Sequence, residues 1–519
     1  MNLMGLGGRQ HKRSPSEGRC GISAKRKEGQ ATMSMREYDR LLVGSQWRRP
    51  TAASKLEVVS PSTEEVVGRV PEATPADVNA AVVSARRAFD EGPWPRMSIK
   101  ERGEYLRRIV ELLRPHVEEA AHVQVDEMGS PYSFALPNTV GILDMVASQV
   151  EMVGSIPTRM VREGSGGPIV VSREPIGVIG AIIPWNAPVP LIIARMLPAL
   201  LTGSPLIVKP ALESPLSAYI VGEAVVEAGL PEGILSLIHG DAEVGEAMVT
   251  HPGVDKISFT GSTAVGRRVA ALCGERLKQA TMELGGKSAA VVLEDADIDK
   301  HIPELLGTSM TNSGQICHTT SRILVPASRS KEMIDAYVGA VASMKVGDPH
   351  DPATRVGPLV SRVQRDRVVG YIESGRDQGV QIALGGGRPA GLDVGWYVEP
   401  TVFTHVDNSL NIAQEEIFGP VVCIIDYETE DQAVAIANDS PYGLGGGVFT
   451  EDIDRGLEVA SRIRTGTCVI NSGVAGGGGG PFGGMKASGL GRERGIEGYE
   501  AYYELKSVAL PKDAPLHVS

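Results

Sequence analysis

Cysteine is scarce in this 519-residue chain: Cys20, Cys273, Cys317, Cys423 and Cys468 are odd in number, widely scattered, and lack both a CxxC pair and histidines at metal-ligand spacing. A disulfide framework and a zinc site are therefore excluded, no metal is expected, and a reducing, cytoplasmic setting follows. Positive charge is also lacking. The 51 Lys and Arg against 63 Asp and Glu leave a net charge of -12, which repels phosphate backbones and anionic lipid, so neither nucleic acid nor a membrane surface is expected as a partner. Nor is there an uninterrupted apolar run of membrane length. Residues 176–208 come nearest, but Pro184, Pro188, Pro190, Pro198 and Pro205 break the run, and Asn186 and Arg195 sit inside it. It reads as buried strand, loop, helix and strand.

What is present is an ordinary globular composition, 42% hydrophobic and 22% charged, on a chain long enough for two or three domains. Basic residues gather in residues 1–34, where Arg9, Lys12, Arg13, Arg19, Lys25, Arg26 and Lys27 face only Glu17 and Glu28. That segment reads as a disordered leader. After two β-rich runs near 55–70, Thr74-Pro75 opens an amphipathic helix, and another spans about 99–113. Between Ile176 and Leu293, continuous apolar runs (IGVIGAII, PLIVK, GILSLI, KISFT, AAVVL) alternate with helix-length segments. This is the pattern of a doubly wound parallel sheet, with a nucleotide site expected at the strand carboxyl ends. A second α/β series follows, with strand candidates at 322–325, 421–426, 445–450 and 467–472 and helices near 329–343, 361–375 and 452–463. Gly476 to Gly480 reads as a glycine loop. Residues 502–511 read as a strand open to pairing with another subunit.

Four segments carry chemistry: PWN (184–186), FTGSTAVG (259–266), MELGGKS (282–288) and NSGQIC (312–317). FTGSTAVG lies between a strand and a helix, where backbone N–H groups can face a phosphate, but it is not a full GxGxxG and a plain structural turn fits equally well. Glu283 ends an apolar strand, and a buried carboxylate there would have a raised pKa suited to a general base. An isolated cysteine such as Cys317 is more often a small buried hydrophobe than a nucleophile. Cys423 and Cys468, inside apolar strands, fit that bland description.

Together with Lys209-Pro210, Glu415 to Pro420 (EEIFGP) and Pro481 to Gly489 (PFGGMKASG), these segments give an ordered set that resembles the aldehyde dehydrogenase superfamily from about Leu42 to Pro511. The resemblance implies an α/β architecture: a Rossmann-like doubly wound cofactor domain (35–148 and 172–283), an α/β catalytic domain (284–497), and a small β oligomerisation arm (149–171 and 498–519). It implies a homodimer or homotetramer. It further implies that Cys317 attacks an aldehyde, that Asn186 and the Cys317 backbone N–H hold the oxyanion, and that Glu283 activates the water that hydrolyses the thioester. Glu283 is the residue that a CoA-acylating relative lacks, so hydrolysis to the acid is favoured. Implied contacts to NAD or NADP are Trp185, Lys209, Gly261, Ser262, Gly266, Glu416 and Phe418. Rival readings are a cofactor-independent cysteine hydrolase using His318, and a non-catalytic homologue.

Two departures from the family pattern bear on specificity. Where many NAD-preferring members read KPxE, this chain has Lys209-Pro210-Ala211-Leu212, with Glu213 one place along. Losing the ribose-binding acid lessens repulsion of a 2′-phosphate, so NADP stays open although NAD is favoured. Ala187, Gly473 and Gly476 to Gly480 also stand where aromatics commonly line the aldehyde tunnel, which points to a wide tunnel for a bulky apolar aldehyde or to a mobile loop.

Overall fold

The computed structural model, which describes residues 35–473 and 478–514, folds the apolar runs into two parallel-rich sheets. The basic leader and residues 474–477 and 515–519 lie outside the described residues, so the readings of residues 1–34, of Gly476 and Gly477 within the glycine run, and of the last five residues of the arm fall outside them.

The first sheet runs, edge to edge, through Gly489–Leu490, Gln279–Glu283, Lys256–Thr260, Ile179–Ile182, Leu206–Lys209, Leu235–Leu237, Leu41–Val43 and Gln46–Arg48. Its five central strands are parallel, and their side chains are buried on both faces, Ile179, Ile207, Val208 and Ile257 being almost inaccessible. From Ile179–Ile182 the chain winds one way to Leu235–Leu237, then returns to the other side through Lys256–Thr260 and Gln279–Glu283. The winding direction therefore reverses between Ile182 and Thr260, and the crevice outside those two strand ends is where such a fold binds a ligand. Residues 176–208 form strand Ile179–Ile182, helix Pro188–Thr202 and strand Leu206–Lys209 as expected. Among the described residues no helix is long and apolar enough to cross a membrane.

The second sheet is ordered Gln381–Leu384, Thr401–Thr404, Val421–Tyr427, Arg322–Pro326, Ala289–Val292, Gly445–Phe449 and Thr467–Ile470, parallel except at its Gln381 edge. Ala289–Val292 is an interior strand of this sheet, not of the first series with which its apolar pattern grouped it. A strand buried on both faces carries no mark of which sheet it joins. Conversely, Gly489–Leu490 crosses back and pairs antiparallel with Met282 and Glu283, tying the sheets together beside the site.

The helices begin where their caps stand. Asp77 accepts the Thr74 N–H at 2.8 Å ahead of Pro75–Asp90, and Ser98 and Glu101 exchange bonds of 2.7 and 3.2 Å ahead of Ile99–Leu113, each cap worth about 1 kcal/mol. The C-terminal strand Tyr503–Ala509 pairs antiparallel with Ile169–Pro175 of its own chain, which in turn pairs with Arg159–Arg162. The expected pairing of this strand is thus met within the chain, and it remains an edge strand of its sheet. The helix Tyr132–Gly154 leads into this largely exposed sheet and runs unbroken past residue 149.

Candidate active site

Cys317 is carried by a loop that the backbone would not adopt unaided. After the helix Ile298–Ser309, Asn312, Ser313 and Gly314 stand consecutively in the left-handed region, with φ of 53°, 57° and 71°. For a non-glycine residue this costs about 1–2 kcal/mol, and the surroundings over-determine it. Ser130 Oγ donates to Asn312 Oδ1 at 2.6 Å, and Asn312 Nδ2 donates to the Asn186 carbonyl at 3.1 Å. Ser313 Oγ donates to the Gly357 carbonyl and accepts the Gly357 N–H, while Gln315 Oε1 accepts the Val360 N–H at 3.1 Å. Gly314 is required because a Cβ there would lie 2.1 Å from the Gly419 carbonyl oxygen.

The two segments PWN and NSGQIC lock reciprocally, since Asn186 Nδ2 donates to the Gln315 carbonyl at 3.0 Å. One amide N–H is thereby fixed, and Asn186 lines the same crevice as the half-buried Cys317. Burial, aided by Glu416 and Glu283, pushes the thiol up to about 12. Its Sγ lies 4.0 Å from His318 Nδ1, and burial drives that imidazole down to about 4, so it is neutral.

Glu283 is the opposite case. It is 3% exposed, and both carboxylate oxygens lack a hydrogen-bond partner. Burial raises it to about 9, Glu493 adding to the shift and Arg195, Arg492 and Arg494 opposing it. Behind it a buried ion pair joins Arg195 to Glu493, and Arg195 also donates to Thr260 Oγ1 at 2.5 Å.

The double glycine of MELGGKS acts through what it lets approach. A Cβ on Gly285 would fall 2.5 Å from Glu416 Oε2, and one on Gly286 2.4 Å from the Cys317 carbonyl oxygen. Glu416 Oε1 accepts the Gly286 N–H at 3.0 Å, and burial lifts this carboxyl to about 7. Phe418, with φ of 60°, meets Trp185 edge-on at 5.3 Å.

A cavity of about 210 Å³ at the switch point brings together Trp185, Asn186, Gly261, Ser262, Glu283, Cys317, Glu416 and Phe418. Two of the expected contacts lie apart from it. Gly266 packs the helix Thr263–Gly274 against Leu284, whose Cδ2 would lie 2.3 Å from a Cβ. Lys209 ends its own strand buried, and that desolvation lowers its pKa although the charges of Glu213 and Asp241 oppose the shift. Gly261 lines the cavity, but its N–H is taken by the Glu283 carbonyl at 3.1 Å, and Ser262 caps the helix through the Val265 N–H. Any phosphate would therefore meet the helix N-terminus rather than the Gly261 N–H.

The motif reading missed Arg367 and Gln364, which line the same cavity. Gln364 Nε2 donates to the Ile417 and Phe418 carbonyls at 3.1 and 2.8 Å, and Arg367 donates to the Glu416 carbonyl, so together they hold the turn of EEIFGP. Both sit on the helix Arg362–Asp377, which matches the helix expected near 361–375 but carried no motif that would single them out. Ser130 and Arg195 were missed likewise, though a buried arginine in an apolar helix is a signal that sequence does offer.

A doubly wound sheet with glycine-shaped space at its switch point defines a dinucleotide-dependent oxidoreductase as the class. The chain belongs to the aldehyde dehydrogenase family, which matches residues 47–508, and it oxidises an aldehyde to the carboxylic acid with NAD or NADP as acceptor. It is 44% identical to the geranial dehydrogenase of Castellaniella defragrans over 91% of this chain and 99% of that protein. It is 38% identical to the betaine aldehyde dehydrogenase of Brucella canis over 90% and 96% of the two chains. Among solved structures, an aldehyde dehydrogenase of Mycobacterium tuberculosis complexed with NAD+ superposes with a TM-score of 0.91 at 45% identity, covering 93% of this chain and all of that one.

Proposed function

We propose that Cys317 is the nucleophile, Glu283 the general base and Asn186 an oxyanion donor in the oxidation of a bulky, apolar aldehyde. What carries the reading is the convergence of these three side chains with Glu416 on one cavity at the switch point. The cavity fits a dinucleotide. Gly285 keeps open a space that a Cβ would fill against Glu416, and that carboxylate and the Trp185 and Phe418 rings would hold the nicotinamide end. Lys209 would serve the adenosine ribose. When bound, NAD(P) supplies the hydride acceptor and a positively charged ring.

Cys317 gives its thiol proton to solvent water, and Sγ bonds to the aldehyde carbon while the carbonyl π electrons move to oxygen. The free N–H of the Asn186 amide and the Cys317 backbone N–H hold that oxyanion, each donor worth about 3 kcal/mol in such sites. Departure of hydride from the same carbon leaves an acyl thioester on Cys317. Glu283, as carboxylate, takes a proton from water, whose oxygen adds to the acyl carbon. The C–S bond then breaks, the acid leaves and the thiolate is restored.

NAD is the favoured acceptor, because Glu213 and Asp241 both act on Lys209 and would repel a 2′-phosphate. A bulky apolar aldehyde is supported by Ala187 and Gly473 on the substrate side and by 44% identity to a geranial dehydrogenase. A homodimer or homotetramer in the cytoplasm is supported by the open edges of the Tyr503–Ala509 sheet and by the free thiols of the four described cysteines. The test is formation of NADH or NADPH over a panel from propanal to terpenoid aldehydes. The expected result is higher kcat/KM for the terpenoids with NAD; no reduced dinucleotide from any aldehyde overturns the reading, and a preference for propanal overturns the substrate class.

A further inference from the structure

One charged group beside the site carries out none of these steps. Arg494 is solvent-exposed and held at φ 58°, ψ 176°, a region used almost only by glycine and costing about 1–3 kcal/mol for another residue. The backbone bridge between Phe482 and Glu493, with N–H···O distances of 2.6 and 2.7 Å, sets its position. From there its guanidinium lies 5.1 Å from the centroid of the Phe482 ring. That ring meets His318 edge-on at 5.9 Å, and His318 adjoins Cys317. Arg494 also borders a cavity of about 20 Å³ with Ile142, Met145, Gln149 and Tyr499. Among the described residues no carboxylate pairs with it, whereas the nearby Glu493 is committed to Arg195.

On the reading that Cys317 is the nucleophile and the aldehyde approaches along Phe482 and His318, we propose that Arg494 determines specificity by charge. It disfavours aldehydes that carry a positive charge near the reacting carbon and favours neutral or anionic ones. Two physical arguments lead there. The Phe482 face, the natural seat for a quaternary ammonium group, is already covered by a guanidinium, so a cationic substrate loses that attraction and meets a like charge instead. Glu283 cannot compensate, because at neutral pH it is held protonated. The Arg494 charge is also felt at the site: after burial it is the second cause that lowers His318, and it is one of three arginines opposing the rise of Glu283.

The experiment uses two aldehydes of one shape and different charge: betaine aldehyde and 3,3-dimethylbutanal. Their kcat/KM ratio is measured with NAD in the wild-type enzyme, Arg494→Lys and Arg494→Gln, so that aldehyde hydration and general losses of activity cancel between variants. The neutral-over-cationic preference is expected to fall about tenfold in Arg494→Gln, as for a unit charge some 7 Å away at partly solvated dielectric, and to persist in Arg494→Lys. An unchanged ratio in an active Arg494→Gln enzyme overturns the proposal. Should that variant not fold, the wild-type ratio must shrink between low and high salt, because an exposed charge is screened; a salt-independent ratio overturns it equally. Absence of NADH from 3,3-dimethylbutanal together with the whole aldehyde panel would instead sink the underlying reading of the site.

Discussion

The two side chains proposed to react are supported in opposite ways. Cys317 rides on a loop in which Asn312, Ser313 and Gln315 are all bonded, and three consecutive residues hold a left-handed backbone. Glu283 ends a regular strand, is paired in register with Thr260 and Gly489, and has two carboxylate oxygens bonded to nothing. The contrast follows from the two tasks. A nucleophile must meet one carbon at one angle, so its position is fixed and the cost is carried by strain. A base must accept a proton and part with it, so it is left buried and unpartnered, where its affinity for a proton is high.

The sharpest break of the comparison is Cys317→Ala, which should lower aldehyde oxidation by at least about 10⁴-fold while leaving dinucleotide binding, followed by fluorescence titration, intact. Substantial residual turnover would place the nucleophile elsewhere. Next, Glu283→Gln should reduce steady-state turnover by about 10²–10³-fold, with a burst of reduced dinucleotide before the slow phase. The pH dependence has a definite sign. A base raised to about 9 is mostly protonated at neutral pH, so wild-type hydrolysis should climb with pH up to that value, and the Gln variant should lose that climb. Because Gln mimics the protonated form, its Tm near pH 7 should stay close to wild type. A large loss of Tm would show that Glu283 is held as firmly as the cysteine loop.

The loop itself is tested by Asn312→Ala, which puts a residue without a capping side chain at φ 53° and removes the acceptor of the Ser130 hydroxyl and a donor to the Asn186 carbonyl. A loss of about 2–3 kcal/mol follows from the left-handed backbone and two hydrogen bonds, with kcat reduced about tenfold and KM for NAD unchanged. Equal stability would mean that the loop is not strained after all.

Much of this was legible in the sequence, and for a reason. Buried parallel strands must be continuously apolar, so Ile179–Ile182, Leu206–Lys209 and Lys256–Thr260 announce themselves, and the glycines of ELGGK mark close approach. What approaches them was not legible. Glu416 against Gly285 is a contact across 131 positions, and Arg195 with Glu493 one across 298. Local pattern also could not assign Ala289–Val292 to its sheet or foresee that Gly261 spends its N–H on Glu283. The side chains of Gln364 and Arg367 look like any polar helix face until Phe418 turns toward them.

The smallest expected effect asks whether the two supports are independent. Next to the Ser130 anchor, His350 joins the domains: its Nε2 lies 2.8 Å from Asp126 Oδ1 and its Nδ1 3.2 Å from His122 Nδ1, with His122 stacked on Tyr132 at 4.7 Å. The hydrogen bond to Asp126 raises the His350 pKa above its usual value. A raised histidine contributes stability that is fully present below its unfolded value of about 6.5 and is lost as pH rises through the folded one. Asp126→Asn should therefore lower Tm most at pH 5.5–6 and hardly at all at pH 9. Since His350 is about a third exposed, the effect should be under about 1 kcal/mol, or about 1–2 °C. The same variant should leave the rise of hydrolysis with pH where Glu283 puts it, because Asp126 acts on the helix beside the cysteine loop and does not appear among the groups that shift Glu283. If that rise moves together with Tm, the rigid support of Cys317 and the unpartnered setting of Glu283 are parts of one coupled unit, and the contrast between them fails.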